Sequence, residues 1–357
     1  MKAVIVLIMM FQLSMPVCAA QPDIGVEELE KAVPAPAEEI YGELEADAEF
    51  WDEGLSRLAD WIGENLLPEL RRALKSGGQM IAILVLCSAA ESISGGKVPD
   101  FVPLGGALGI AAVAAGDVKS FIGLGESALR SLTDFAALLL PCIAAAGAAA
   151  GSLNSSAAMY AATMLFMDIL LGLCSGLIMP LIHIYIAAVT ARAALGSEVL
   201  TTAVNITKWL CVSAMTVLVT VFTAYFSITG AIGGAADAAA AKLAKTAIAA
   251  ALPVVGKIVS GAADSVAAGA QLLRSGVGVL GMLSVLAVCA WPFLALGVHY
   301  AVYKAVAMVS GGLTGSRLGG LIGGIGTAFG MVLALVGCGA LMLFFAIVSG
   351  MKAVSPL

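Results

Sequence analysis

A polytopic all-α membrane protein is the fold class predicted by three observations. Hydrophobic residues make up 61% of the 357 and charged residues only 12%, with a mean hydropathy of +1.02. Soluble domains carry about 25% charged residues, so a water-soluble fold could not cover its surface with so few. The apolar residues also run in long stretches without strand alternation, and in lipid only helices or closed barrels satisfy every backbone group. The expectation is an N-terminal signal peptide followed by about six to eight membrane segments, some of them re-entrant or interfacial.

The N-terminus supplies the first element. Lys2 precedes the apolar run Ala3–Phe11, then Pro16 and the small residues Cys18, Ala19 and Ala20. This is the layout of a signal peptide cleaved after Ala20, with an uncleaved first anchor as the other reading. Residues 21–78 hold 15 acidic and 5 basic residues, whereas the rest of the chain holds 9 and 13. The acidic part therefore reads as a separate extracytoplasmic segment. Pro22, Pro34 and Pro36 mark a linker. From Ile40, the residues Leu44, Ala48, Trp51, Leu55, Leu58, Ile62 and Leu66 recur at helical steps, and the pattern predicts a helix ending near Pro68. That helix packs on the membrane domain or a partner, or lies on the membrane surface. The organisation is thus 1–20 signal peptide, 21–78 acidic segment and 79–357 multi-pass domain.

In the membrane domain, residues 79–94 and 101–116 are each short for a crossing and predict a hairpin that penetrates only partly. Residues 117–134, with Lys119, Glu126 and Arg130, read as an interfacial connector. Residues 135–191 contain only Asp168 and His183 as ionisable groups, enough length for two or three spans, with Pro180 placed to kink or end a helix. A polar connector over 192–208 leads to a span at Trp209–Thr229, where Trp209 suits the interface. Residues 277–298 form another uncharged span. In the uncharged run 318–351, the glycine-dense Gly319–Gly326 predicts a turn before a span at Ala328–Ser349. Lys and Arg fall in the 192–208, 242–274 and 304–317 connectors, which cannot all alternate to one side, so the positive-inside rule leaves the orientation open.

Few residues point to chemistry. Asp168 is the ionisable residue deepest in an apolar run; it predicts either an intramembrane polar site with His183, such as a proton relay, or a structural hydrogen bond. His299, Tyr303 and Lys304 read as interface anchors. Glycine pairs such as Gly172/Gly176, Gly319/Gly323 and Gly326/Gly330 have G-x-x-x-G spacing, which favours close helix packing or homo-oligomers. Seven dispersed cysteines without a C-x-x-C pair argue against a disulfide framework or zinc site. With two histidines and no P-loop, zincin motif or nucleophile elbow, neither enzymatic activity, a cofactor, a metal nor a nucleic-acid partner is expected.

The stretch Lys257–Arg274 has the pattern K-x-x-S-G-x-x-D-x-V-x-x-G-x-x-L-L-R and is amphipathic. Lys257, Asp264, Gln271 and Arg274 form its polar face, a candidate partner or pore face; a helix floating at the lipid interface is the alternative. With a signal peptide, an acidic external segment, several spans and this stretch, the chain resembles the stage III sporulation protein AE family of endospore-forming bacteria. The resemblance implies a multi-pass protein in the mother-cell membrane around the forespore. It implies partners from the same sporulation operon, including a cytosolic ATPase and ring-forming proteins, and a forespore membrane protein. Together these would form a secretion-like channel that sustains forespore development and late sigma factor activity. The rival expectation is a stand-alone secondary transporter or permease built round Asp168 and helices broken near Pro180 and Gly319–Gly326.

Overall fold

The computed structural model describes residues 34–42, 50–93, 101–149, 156–228, 276–311 and 316–354. Every regular element among them is helical: α1 Ala35–Tyr41, α2 Phe50–Ile93, α3 Phe101–Ala149, α4 Ser156–Leu173, α5 Met179–Leu195, α6 Glu198–Ile228, α7 Gly276–Ser310 and α8 Ser316–Val354, with a π-helical turn at Cys174–Ile178 joining α4 to α5. Six stretches of these helices are long and apolar enough to cross a membrane. The chain is a multi-pass helical membrane protein. The signal-peptide stretch and Lys257–Arg274 lie outside the described residues.

Several boundaries differ from those the sequence suggested. α2 runs through Pro68 and through residue 78, so amphipathic helix and first apolar segment are one helix of 44 residues. Pro68 removes one backbone donor, and on the exposed side of a long helix that loss is tolerated. The expected short hairpin is instead the tip of α2 and α3, and the charged stretch 117–134 is the middle of the 49-residue α3 rather than a connector. At ~1.5 Å per residue these helices rise about 66 and 74 Å, well over the ~30 Å hydrocarbon layer. Pro180 does not break the helix: the π turn just before it absorbs the missing hydrogen bond. The 192–208 connector shrinks to a two-residue turn, Gly196-Ser197, where Gly196 takes φ +65° and its N–H caps the Arg192 carbonyl at 2.8 Å. Finally, Gly319–Gly326 is continuous helix, not a turn.

The reason for that last difference is packing. α7 and α8 form the antiparallel pair at the centre of the bundle; 78% and 72% of their apolar windows are buried, against 22–39% in the other four spans. Small residues on α8 let α7 approach: a Cβ at Gly323 would lie 3.3 Å from Ala307 Cβ, and one at Gly326 3.1 Å from Tyr303 Cβ. On its other side α8 meets α5, with Val189 over Gly324 and Arg192 over Gly320. α2 runs parallel to α7, fixed by Leu283 over Gly54, Trp61 against Trp291 and Val302 over Gly77. α3 runs parallel to α8, with Phe121 against Phe329 and Val332 over Gly125. Arg317, at the α7–α8 turn, sits over Gly196 of the α5–α6 turn. The 192–208 and 304–317 connectors therefore share one end of the bundle, and residues 228 and 276, which flank the 242–274 connector, lie at the other.

Replacing Gly324 by Leu should overpack the α5–α8 contact and cost about 1–3 kcal/mol. Gly172, where a Cβ would meet nothing within 4 Å, should accept Leu with little change. Thermal unfolding of the detergent-solubilised variants checks the difference.

Candidate functional site

Among the described residues, the bundle interior holds few buried polar side chains, and two of them meet. Glu69 of α2 is in step with Ala73, Gly77, Met80 and Leu84 on the face that packs inward, and it is 1% exposed. His299 of α7 is fully buried. Because α2 and α7 run parallel, Glu69 Oε1 lies 3.4 Å from His299 Nδ1. That nitrogen is also 3.0 Å from the Ala295 carbonyl, which can only accept, so Nδ1 carries the hydrogen. Arg72 pairs with the other Glu69 oxygen. One turn along α7, the Tyr303 hydroxyl donates to Asp117 Oδ2 of α3 at 2.8 Å. Phe121 stacks beside His299 with centroids 4.3 Å apart, and Phe329 stands edge-on to both Phe121 and Tyr303.

The adjoining Lys304 solves the problem of a cation in an apolar bundle by reaching across to α8. Its ammonium donates to the Gly323 carbonyl at 2.9 Å and to Thr327 Oγ1 at 2.7 Å, with the Tyr300 ring 5.8 Å away. The glycine that permits close packing thus also offers its carbonyl. This polar layer ties α2, α3, α7 and α8 together at one depth. Glu69 Oε1 and His299 Nε2 have no hydrogen-bond partner. An acid and an imidazole in contact, with a spare acceptor on each, can hold or exchange a proton. Among the described residues no group of three or more His, Cys, Asp or Glu could hold a metal ion.

The residues singled out from the sequence fall elsewhere. Asp168 is exposed on the outward face of α4, and His183 is exposed on α5 with Nδ1 donating to the Met179 carbonyl at 2.9 Å. They lie 15 positions apart on a helix interrupted only by the π turn, about 22 Å along its axis, so the structure does not bring them together. His183 instead lines a groove of about 660 Å³ between α3 and α5 with Lys119 and Glu126. Lys257, Asp264, Gln271 and Arg274 lie outside the described residues. His299, Tyr303 and Lys304 are not interface anchors but interior groups. A signal for Glu69 was present: it interrupts an inward-facing row of small and apolar residues at helical spacing.

Near the N-terminal end of α2, Tyr41 is 1% exposed and its hydroxyl has no partner. Arg57 donates to the Tyr41 carbonyl, holding α1 against α2. Burial pushes the Tyr41 hydroxyl up from its ordinary value of 10. A group whose pKa is raised by folding contributes stability that is complete below its unfolded value and is lost as pH rises through the folded one. Docking of α1 should therefore weaken above about pH 10, and Tyr41→Phe should remove that alkaline loss in a hydrogen-exchange measurement on α1.

Among the described residues, a helical bundle with six candidate spans, centred on a glycine-faced hairpin and carrying an interior polar layer, defines a multi-pass membrane protein. The stage III sporulation protein AE family matches residues 46–353, and the chain belongs to that family. A Bacillus subtilis (strain 168) protein named stage III sporulation protein AE is 25% identical over 190 residues, which cover 53% of this chain and 47% of that protein. The match thus spans about half the length of that relative. No solved structure matches the chain.

Removing either member of the buried pair should leave the other unmatched. Glu69→Gln and His299→Asn are each expected to cost about 1–3 kcal/mol. The double variant should cost less than the two losses added, and a double-mutant cycle from unfolding midpoints measures the coupling.

Proposed function

We propose that this chain is a non-enzymatic, integral membrane component of a transenvelope complex between mother cell and forespore, forming part of a secretion-like channel required for forespore development and late sigma factor activity. The observation that carries this reading is the extent of the family match, which includes all six candidate spans. The partners on this reading are the other products of the same sporulation operon and a protein of the forespore membrane. The chain would reside in the mother-cell membrane that surrounds the forespore. Among the described residues, the dense burial of side chains around α7 and α8 suits an assembly role.

Deletion of the gene should block sporulation after engulfment, and a tagged copy should co-purify with the sister proteins. Normal spore yield in the deletion strain would sink the proposal. Asp168 separates this reading from a self-sufficient transporter. Its outward position predicts that Asp168→Asn preserves spore formation, counted as heat-resistant colonies. A block with the complex still assembled would favour the transporter.

A further inference from the structure

Three helices meet at His299. Glu69 reaches the ring from α2, Phe121 packs on it from α3, and α7 itself supplies the Ala295 carbonyl. The ring is fully buried and its two nitrogens are treated differently. Nδ1 is engaged by the Ala295 carbonyl and Glu69, whereas Nε2 has no hydrogen-bond partner among the described residues. Because Nδ1 carries the hydrogen, Nε2 holds the lone pair and is the atom that takes an added proton. A proton there creates a buried donor, and a buried charged group is costly unless an acceptor comes to it.

The charged groups that act on His299 are Asp117 of α3 and Glu69 and Arg72 of α2. α8 brings Phe329 to this place, and Lys304 of α7 is turned away to the Gly323 carbonyl and Thr327. Glu69 is already committed, one oxygen to Nδ1 and the other to Arg72. Asp117 is the carboxylate left to answer a new donor. α3 and α7 run antiparallel here, since Phe121 meets His299 while Asp117 meets Tyr303. In each helix the two residues are four apart, so both contacts lie on one face, a turn from each other. Asp117 therefore has two possible donors on α7. One is the Tyr303 hydroxyl that it binds at 2.8 Å, and the other, in acid, is His299 Nε2–H about 5.4 Å along the helix. Asp117 is only half-buried, with Lys119 and Ser120 exposed beside it, which gives protons an entry from the outer face of α3.

We propose that His299 is an acid-sensitive switch between α3 and α7: when Nε2 takes a proton from water, Asp117 leaves the Tyr303 hydroxyl and accepts from Nε2–H, moving the tie between the helices by one turn of α7. One neutral donor is exchanged for a charged one at the same carboxylate, and charge-assisted hydrogen bonds are the stronger kind. The fully buried Tyr303 hydroxyl loses its acceptor, so the α3–α7 contact is loosened where Phe329 stands edge-on to Phe121 and Tyr303. α2 keeps its hold through Nδ1–H and Glu69, which confines the change to the α3 side. This inference rests on the bundle geometry and not on the sporulation role, so either can fail alone.

The test is an NMR titration of the full chain in lipid nanodiscs, isotope-labelled at histidine and tyrosine, between about pH 8 and pH 5. The chain has two histidines, so His183→Gln assigns the His299 ring, and Tyr303→Phe assigns the Tyr303 ring. On acidification the His299 nitrogens should pass from the neutral to the doubly protonated pattern. The Tyr303 Cζ signal should move from the carboxylate-bound to the free position with the same midpoint. Asp117→Asn should hold the Tyr303 signal constant across the range, and Glu69→Gln should leave the joint movement in place. The unmodified chain decides the matter alone where a variant does not fold. A His299 ring that stays neutral throughout, a Tyr303 signal that does not follow it, joint movement that survives Asp117→Asn, or its loss in folded Glu69→Gln would each overturn the proposal.

Discussion

The close approach of α7 and α8 is the constraint on which the rest of the bundle depends. Two apolar helices in lipid gain little from hydrophobic association, because the tails around them are as apolar as their side chains. Their pairing must come from packing, and the glycines at 323 and 326 supply it by bringing backbone against Ala307 and Tyr303. The hairpin so formed is hydrophobic all round and needs cover on every side. α2, α3 and α5 supply that cover, each locked at positions where a side chain of one helix fills a glycine of another. The same closeness places the Gly323 carbonyl within reach of Lys304, whose charge would otherwise stand unpartnered inside the bundle.

Polar groups in the interior follow from this arrangement. Glu69, His299, Tyr303, Asp117 and Lys304 come from three helices and fall in one layer because α2 runs parallel to α7 and α3 antiparallel to it. Each would be costly alone: a carboxylate in the middle of a span costs roughly 2.5–3.5 kcal/mol on insertion scales. Paired with an imidazole or a phenol of α7, they act as cross-links between helices instead. Glu69 Oε1 and His299 Nε2 are the acceptors this layer leaves without a hydrogen-bond partner. Membership of the stage III sporulation protein AE family gives this chain a cellular setting.

The all-helical, multi-pass class was legible in the sequence because it depends on quantities that need no partner: the scarcity of charge, the length of apolar runs and the absence of alternation. The close helix packing at Gly319–Gly330 was also legible as glycines at G-x-x-x-G spacing. Element boundaries were not. Pro68, the charged stretch 117–134 and the glycines of 319–326 each read as a break, since a charge, proline or glycine lowers local helix preference. Tertiary packing overrode that preference in all three places.

Which charged residues belong to the interior was decided only by the tertiary structure. Asp168 looked buried because its sequence neighbours are apolar, yet helical rotation turns it outward beside Ile169. Glu69 looked like one more acid of a solvated segment, yet it lies on the row that packs against α7. Sequence neighbours report the depth of a residue along a helix. They do not report the direction in which it points, because direction acquires meaning only when another helix stands on that side. Composition and run length therefore determined on their own that this chain crosses a membrane as helices, whereas the parallel and antiparallel pairing of those helices decided which side chains meet.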